Sequence, residues 1–481
     1  MSITHSLSNA LSGMTAASRL AEVVSSNVSN ALTDGYARRT LDLSSASIGG
    51  RGAGVQISGV TRHVDTGLLS SRRLTDASLG AASFLANTIS DVEGIIGSAG
   101  EEGSLSARIV AVEAALVEAA ANPSSEVSLT ALSQRFDELA GGLNAASDSI
   151  QAKRVEADTF IADQVDALNT ALGQVEALNK DIVASRSSGV DASGLMDTRQ
   201  QVIDSIAEIV PIKQFQRDNG QVALMTTSGE TLIDGAAKIF GFSPNATITP
   251  DMTLASGGLG GIMIDGVAIS SDGIGRMSGG SLAAAFQARD GDLVDAQSSL
   301  DTMAADLISR FQDPGVDPTL GVSDAGLLTD GGAAYDGSSL TGLASRIALN
   351  SSADPTQGGV VTNIRDGLNA TVAGPSGDSS LLQSLSSALS DPRAIGSDST
   401  MLSAAGRAAN IEARVGSQRL TYEADLSFET SRWTSLTEAE AADGVDTDYE
   451  LQMLLRVEQA YAANARVVQT VDTLMQRLME I

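Results

Sequence analysis

The strongest constraint on the fold is an apolar residue at every third or fourth position along both ends of the chain. Strict 3–4 spacing is typical of helices that pack along a shared seam, and a polar seam residue can fix their register. Near the N-terminus the positions are Ile3, Leu7, Ala10, Met14, Ala17, Ala21, Val24, Val28 and Ala31. Near the C-terminus they are Leu454, Val457, Tyr461, Asn464, Val468, Val471, Met475 and Leu478, with Asn464 the one polar interruption.

We predict that the two terminal helices pair with each other and, through the same residues, with neighbouring subunits. A lone helix of about 30 residues with few charged side chains is marginally stable in water, so each end needs a partner. The alternative is that both ends are ordinary amphipathic helices of a core. The predicted assembly seam consists of Ile3, Leu7, Met14, Val24, Val28, Leu454, Val457, Tyr461, Asn464, Val468, Val471, Met475 and Leu478.

Between the ends, helical patterns alternate with two β-type regions. The pattern predicts a mainly α chain with β insertions (α+β, multidomain), in which both termini form a long helical bundle or coiled-coil stalk and β-rich domains lie outside. Helices are predicted at 68–100, 104–121, 126–186, 281–311 and 400–440.

The predicted domains are nested around the middle of the chain. A terminal coiled-coil domain takes 1–35 and 447–481. A long-helix domain takes 36–208, 281–312 and 400–446. A β-rich outer domain takes 209–280, and a Gly/Ser/Asp-rich β-type insertion takes 313–399.

The charge balance excludes several classes of partner. With 59 acidic and 30 basic residues the formal net charge is -29, so the surface repels nucleic-acid phosphates and anionic membranes. The sequence has no cysteine, which excludes disulfides and cysteine-based redox or metal chemistry.

The sequence predicts no catalytic, metal-binding or cofactor-binding residues. Two histidines, His5 and His63, leave few candidates for acid–base catalysis, and no nucleophile elbow, zinc-protease or phosphate-loop motif is present. The acidic cluster Asp313, Asp317 and Asp324 is expected to be a solvated loop, and Trp433 to pack in a core. A surface hydrolase based on the insertion is the remaining enzymatic alternative.

Short motifs at both ends resemble those of the flagellar rod, hook and hook-associated axial proteins. Near the N-terminus they are Ser12-Gly13-Met14-Thr15-Ala16-Ala17, Ser26-Asn27-Val28-Ser29-Asn30 and Asp34-Gly35-Tyr36-Ala37-Arg38; near the C-terminus, the segment from Tyr461 to Thr470. The signature residues are Gly13, Asn27, Asn30, Gly35, Tyr36, Arg38, Asn464 and Gln469.

Interior motifs are similar to those of the hook-associated branch of that family. They are the segment 195–210, which includes Asp197 and Arg199, and Gly279-Gly280-Ser281-Leu282 followed by Arg289-Asp290. The resemblance implies a structural, non-enzymatic subunit at the junction between the flagellar hook and filament. The alternative is a hook or distal-rod subunit, but those lack a helix like that predicted at 126–186.

The resemblance also implies partners and a location. The partners are further copies in a ring, the hook protein, a second hook-associated junction protein, and a cytosolic export chaperone bound to the C-terminal helix. The location is extracellular, on the bacterial flagellum, after export by the flagellar type III apparatus. That route agrees with the lack of a recognisable cleavable signal in the first residues.

Overall fold

The computed structural model describes residues 3–33, 35–48, 51–396 and 398–479. Asp34, which belongs to one of the quoted motifs, lies outside these ranges. The helices are α1 (Ile3–Ser29), α2 (Thr66–Ile96), α3 (Leu105–Ala121), α4 (Glu126–Ser187), α5 (Ser193–Ile209), α6 (Gly280–Gln287), α7 (Leu293–Phe311), α8 (Asn363–Asp366), α9 (Ser380–Ser390), α10 (Ala404–Ala442) and α11 (Thr447–Met479).

The strands are short and form small antiparallel sheets. They are β1 (Arg39–Ile48), β2 (Arg51–Arg62), β3 (Ile212–Gln216), β4 (Val222–Thr226), β5 (Thr231–Asp234), β6 (Ala236–Ala237), β7 (Phe240–Gly241), β8 (Met263–Ile264), β9 (Val267–Ala268), β10 (Leu328–Asp330), β11 (Ile347–Leu349), β12 (Arg393–Ile395) and β13 (Asp398–Leu402). The long terminal helices and small sheets confirm the predicted fold class.

The chain forms two compact units. The first comprises 1–79, 167–239 and 429–481, and the second comprises 80–166 and 240–428. The predicted β-rich range 209–280 therefore contributes β3–β6 to the first unit and β7–β9 to the second. The proposed domain ranges remain predictions.

In the first unit, α1 packs against α11 and against the β1–β2 hairpin. The hairpin was not predicted, because residues 39–62 were assigned to the long-helix domain. Its signal is short: Leu41 and Leu43 alternate with polar residues on β1, opposite Val60 and Ile57 on β2. The four strands β3–β6 form a meander in chain order.

The second unit is built on the long helix predicted at 126–186. Its heptad positions Leu129, Leu132, Phe136, Leu139 and Leu143 are all fully buried. The ring of Phe136 packs edge-on against Phe311 of α7, with centroids 5.2 Å apart. This part of α4 is therefore the central element of the core, as its spacing indicates.

The region 313–399 does not form a separate β insertion in this unit, because it supplies core residues. Leu343, Leu382 and Leu389 are buried in the same cluster as Leu129 and Leu300. The region includes the helix α9 as well as short strands. Asp317 is 3% exposed rather than solvated, and its carboxylate accepts hydrogen bonds from the Thr319 and Leu368 backbone N–H groups.

A buried ionic cluster joins the middle of α4 to the segment after α6. The predicted helix 281–311 is interrupted there by a π-helical turn, Ala288–Asp292. In this turn Arg289, which is 0% exposed, forms ion pairs with Asp158 and Asp290. The backbone oxygen of Arg289 accepts a hydrogen bond from Nε of buried Arg154 at 3.1 Å. Arg289 of the Arg289-Asp290 motif thus lies in the core, and Asp290 is half-buried beside it.

Candidate assembly interface

The predicted assembly seam is distributed over buried, half-buried and exposed positions of α1 and α11. Val24, Val457 and Val471 are buried. The half-buried members are Ile3, Met14, Val28, Leu454, Asn464 and Val468. The exposed members are Leu7 (38%), Tyr461 (43%), Met475 (44%) and Leu478 (59%). The pairing of α1 with α11 within one chain therefore covers only part of the seam.

Gly13 on α1 faces Asn464 on α11, so two signature residues meet where these helices pack against each other. A Cβ atom at position 13 would lie 2.7 Å from Asn464 Nδ2. Asn464 Nδ2 donates to the Ala460 carbonyl at 3.0 Å, which satisfies the amide within its own helix. The lack of a side chain at Gly13 allows this close approach.

Asn27, 1% exposed, connects the end of α1 to the start of the hairpin. Its Nδ2 donates to the Arg39 carbonyl at 2.9 Å, and its Oδ1 accepts from the Arg39 backbone N–H at 3.0 Å. The same Oδ1 accepts from the Tyr36 hydroxyl at 2.9 Å. One side chain thus pairs both backbone groups of the first strand residue, as a neighbouring strand would.

Arg38 links this corner to the start of α11. Its Nε donates to Glu450 Oε1 at 2.8 Å, and the Glu450 side chain is 2% exposed. The Arg38 guanidinium also lies 4.8 Å from the centroid of the Tyr449 ring. The Arg38–Glu450 pair therefore brings the C-terminal end of α1 close to the first turn of α11. Gly13 meets Asn464 midway along both helices. The two helices therefore run antiparallel.

Asp197 on α5 holds both ends of the hairpin. Its two carboxylate oxygens accept from Arg39 Nη2 and Arg62 Nε, each at 2.5 Å. Arg62 also donates to Gln200. The guanidinium of Arg39 lies 4.8 Å from the centroid of the Tyr36 ring.

Sequence reasoning did not select these partners of the signature. Asp197 was quoted within a motif but not chosen as a site residue, and Arg39, Arg62, Gln200 and Glu450 were not chosen either. The signal in the sequence that pointed to Asp197 was the similarity of the segment 195–210 to a motif of the hook-associated proteins. The pairing itself joins residues more than 130 positions apart, which spacing within one element cannot reveal.

The remaining signature residues have local roles or none visible within one chain. Gly35 has φ +72°, and a Cβ there would lie 2.7 Å from Gln201 Cγ. Asn30 Nδ2 donates to the Ser26 carbonyl at 2.9 Å. Gln469 is exposed. We call Asn27, Tyr36, Arg38, Arg39, Arg62, Asp197 and Glu450 the corner cluster.

A second ionic cluster in the first unit joins α2, α5 and α10. Arg72 forms ion pairs with Asp76, Asp204 and Glu440. Trp433, which was predicted to be a core residue, is 37% exposed, and its Nε1 donates to Asp76 Oδ1 at 2.8 Å. Its ring lies at the edge of this cluster because the indole N–H has a carboxylate partner there.

Burial raises the pKa of the Asp76 carboxyl to about 6, against the opposing effect of Arg72. Between pH of about 4 and about 6, the folded chain therefore keeps a proton on Asp76 that the unfolded chain has lost. The contribution of Asp76 to the free energy of unfolding falls as pH rises through this range. We expect the fluorescence of Trp433, the only tryptophan, to titrate with a midpoint near 6. The Asp76→Asn variant should lack this transition, and a wild-type midpoint near 4 would contradict the assignment.

The comparisons with known proteins agree with the arrangement of these elements. Residues 89–314 match the family model described as the flagellar hook-associated protein FlgK helical domain. Flagellar hook-associated protein 1 of Escherichia coli strain K12 is 23% identical, with 99% of each chain covered. The chain is thus similar to flagellar hook-associated protein 1 over nearly its whole length, and residues 89–314 are similar to that protein's helical domain. This confirms the resemblance seen in the sequence motifs.

Two further similarities extend the comparison. Flagellar hook-associated protein 1 of Bacillus subtilis strain 168 is 28% identical over 224 residues, and the match spans 43% of each chain. The structure of the flagellar hook junction protein FlgK from Burkholderia pseudomallei matches with a TM-score of 0.58 at 14% identity. That match covers 77% of this chain and 99% of the other, and at this identity it shows a shared fold.

Metal-binding groups and membrane-spanning helices would indicate other classes of function. Over 3–33, 35–48, 51–396 and 398–479, no three His, Cys, Asp or Glu side chains are grouped so as to hold a metal ion. Within the same ranges, no helix is long and apolar enough to cross a membrane.

Proposed function

We propose that this chain is a structural, non-enzymatic subunit that forms the junction between the flagellar hook and filament and assembles through its terminal helices. The observation that carries the proposal is the incomplete cover of the seam. Leu7, Tyr461, Met475 and Leu478 are each at least 38% exposed, although they lie on the line of residues along which α1 and α11 pack.

These exposed seam residues are suited to contacts with neighbouring subunits. Apolar area buried between subunits contributes about 25 cal/mol per Å², so a seam closed over several such side chains yields several kcal/mol for each contact. The corner cluster sets the angle at which the hairpin and α11 leave the end of α1. A fixed angle is needed if each copy is to present the same surface to the next copy in a ring.

The proposal includes the partners and the route that the resemblance implied. Copies of the chain form a ring between the hook protein and a second hook-associated junction protein, and a cytosolic chaperone binds α11 before export by the flagellar type III apparatus. The assembled location is the extracellular flagellum. The 62-residue helix α4 and the helical-domain match favour this role over a hook or distal-rod subunit.

The direct test is Val468→Asp in a strain that lacks this chain. Val468 is half-buried, so an aspartate there can reach water in the lone chain but becomes a buried, unpaired charge when neighbouring subunits close the seam. We expect intact hooks without filaments in electron micrographs. In the purified full-length variant, the unfolding transition of the second unit should keep its wild-type melting temperature.

The matched control is Ala462→Asp, which adds the same charge at an exposed position of α11 outside the seam. Filaments should form normally with this variant. If the Val468→Asp chain joined hooks to filaments as well as the control does, assembly through the seam would be ruled out.

A further inference from the structure

The helix α3 has a second apolar face that the described residues of its own chain leave largely exposed. Its inner face buries Leu105, Ile109, Val112, Leu116 and Ala119 in the core of the second unit. On its outer side, apolar residues again follow 3–4 spacing, and Val110 and Val117 are 53% and 64% exposed. We call this outer set the α3 stripe; it consists of Ala107, Val110, Ala114, Val117 and Ala121.

The composition of the α3 stripe suits close contact with another helix. Its members are alanine and valine, whose small side chains leave shallow holes for larger side chains of a partner. The stripe contains no charged residue and extends about 21 Å at 1.5 Å per residue. Glu113 and Glu118 border it on its two sides, and neither forms an ion pair within the described part of the chain.

A complementary face lies on the part of α10 that belongs to the same unit. Leu420 and Phe428 are 60% and 65% exposed, and Ala424, also exposed, lies between them at spacings of four residues. We call these three residues the α10 stripe. Arg414, near its edge, donates to the Ser299 hydroxyl at 2.7 Å and has no carboxylate partner among the residues described.

We propose that the α3 stripe binds the α10 stripe of a second copy of this chain. Large side chains of α10 enter the holes between the small side chains of α3, and Arg414 approaches Glu113 or Glu118. Copies with a net charge of -29 repel each other over most of their surface, so a charge-free stripe is where they can approach closely. The inference rests on the proposed function, because it names a further contact within the same ring.

The contact joins two different faces, so it is head-to-tail and can continue from copy to copy around a ring. A single helix pair of this length buries well under the roughly 800 Å² per partner of a stable complex. By itself it is therefore too weak to hold two copies together in solution. It contributes once the terminal helices have brought the copies side by side, because the second contact is then intramolecular in effect.

Cysteine crosslinking tests which faces meet. The chain has no cysteine, so Ala114→Cys combined with Ala424→Cys places the only two thiols at the centres of the two stripes. In flagella assembled from this full-length variant, oxidation should give covalent multimers beyond the dimer, and each single variant alone should give none. Dimers from Ala114→Cys alone would show an α3–α3 contact and overturn the proposal, as would a product joining one copy to a different protein.

Charge insertion tests whether the contact is needed. Val110→Lys combined with Val117→Lys changes exposed positions only, so the melting temperature of the purified chain should not fall. We expect at least about a tenfold reduction in filamented hooks, which corresponds to about 1.4 kcal/mol in total. The control is Val322→Lys combined with Val372→Lys, an equal charge change at two valines that are 91% and 80% exposed and lie outside both stripes.

The outcomes separate this inference from the proposed function. If the wild-type chain restores filaments to the deficient strain and the double-lysine variant does so equally well, the α3 contact is refuted while the junction role stands. If the wild-type chain itself restores none, the junction role fails, and the α3 inference fails with it.

Discussion

Replacing Asn27 with leucine is expected to free the β1–β2 hairpin from the end of α1 and to abolish filament attachment. The change keeps a side chain of similar size but removes the acceptor and donor that pair both backbone groups of Arg39 and the Tyr36 hydroxyl. Each buried polar group left without a partner costs about 1–3 kcal/mol, so the loss at this corner is about 3 kcal/mol or more.

The hairpin depends on this corner because its other anchors cannot replace it. Asp197 holds Arg39 and Arg62 by their side chains, but it does not satisfy the backbone of the first strand residue. With Asn27 absent, the strand starts with a partly buried N–H and C=O of Arg39 that have lost their side-chain partner. We expect the amide hydrogens of residues 39–62 to exchange faster in the variant, while those of the second unit's core keep their protection.

Asn30→Leu is the matched control for this prediction. Asn30 is the same residue type, three positions along the chain, but its side chain makes only local contacts: Nδ2 donates to the Ser26 carbonyl, and Oδ1 accepts from the Thr33 hydroxyl at 3.4 Å. Filaments should still form, and hairpin exchange should stay near the wild-type rate. Equal exchange in the two variants would mean that Asn27 does not anchor the hairpin.

Asp158→Ala is expected to give the largest loss of stability in the second unit. The Asp158 carboxylate pairs with Arg289 and also accepts from the Asn245 backbone N–H at 2.6 Å. Without it, Arg289 and Arg154, which are 0% and 1% exposed, are left with Asp290 as the adjacent carboxylate for two buried guanidinium groups. Removing one member of a buried ion pair costs about 3–5 kcal/mol because the remaining charge stays desolvated.

Urea unfolding followed by circular dichroism measures this loss. Asp163→Ala removes an exposed carboxylate from the same helix and should change the unfolding free energy by less than about 0.5 kcal/mol. A loss for Asp158→Ala as small as that of the control would show that the two arginines find other partners. Replacing Asp158 with asparagine should give an intermediate value, since the amide oxygen can still accept one of the two hydrogen bonds.

The seam illustrates how much of the interface the sequence predicts. The 3–4 spacing identified both helices and their apolar sides, because a helix places every third or fourth side chain on one face. It did not show that Val457 and Val471 are covered within one chain while Met475 and Leu478 on the same line are exposed. That difference depends on how far the N-terminal end of α1 reaches along the C-terminal part of α11. The spacing of apolar residues within either helix does not determine this.

The insertion and the hairpin show where the pattern failed. Residues 313–399 are rich in Gly, Ser and Asp, and such a composition is typical of exposed loops. Their scattered leucines are nevertheless buried against α4 and α7, because these helices supply an apolar surface that the segment itself lacks. The hairpin has few apolar residues per strand and depends on Asn27 and Asp197, both remote in sequence, for its position.

The sequence by itself determined the mainly helical class, the long central helix, the two terminal helices and the family motifs. Each of these is encoded by neighbouring residues at a fixed spacing. The tertiary structure decided the antiparallel pairing of α1 with α11, the corner cluster around Asn27, and the open faces of α3 and α10. These depend on hydrogen bonds and ion pairs between residues far apart in the chain, such as Arg38 and Glu450, and only folding brings such residues within contact distance.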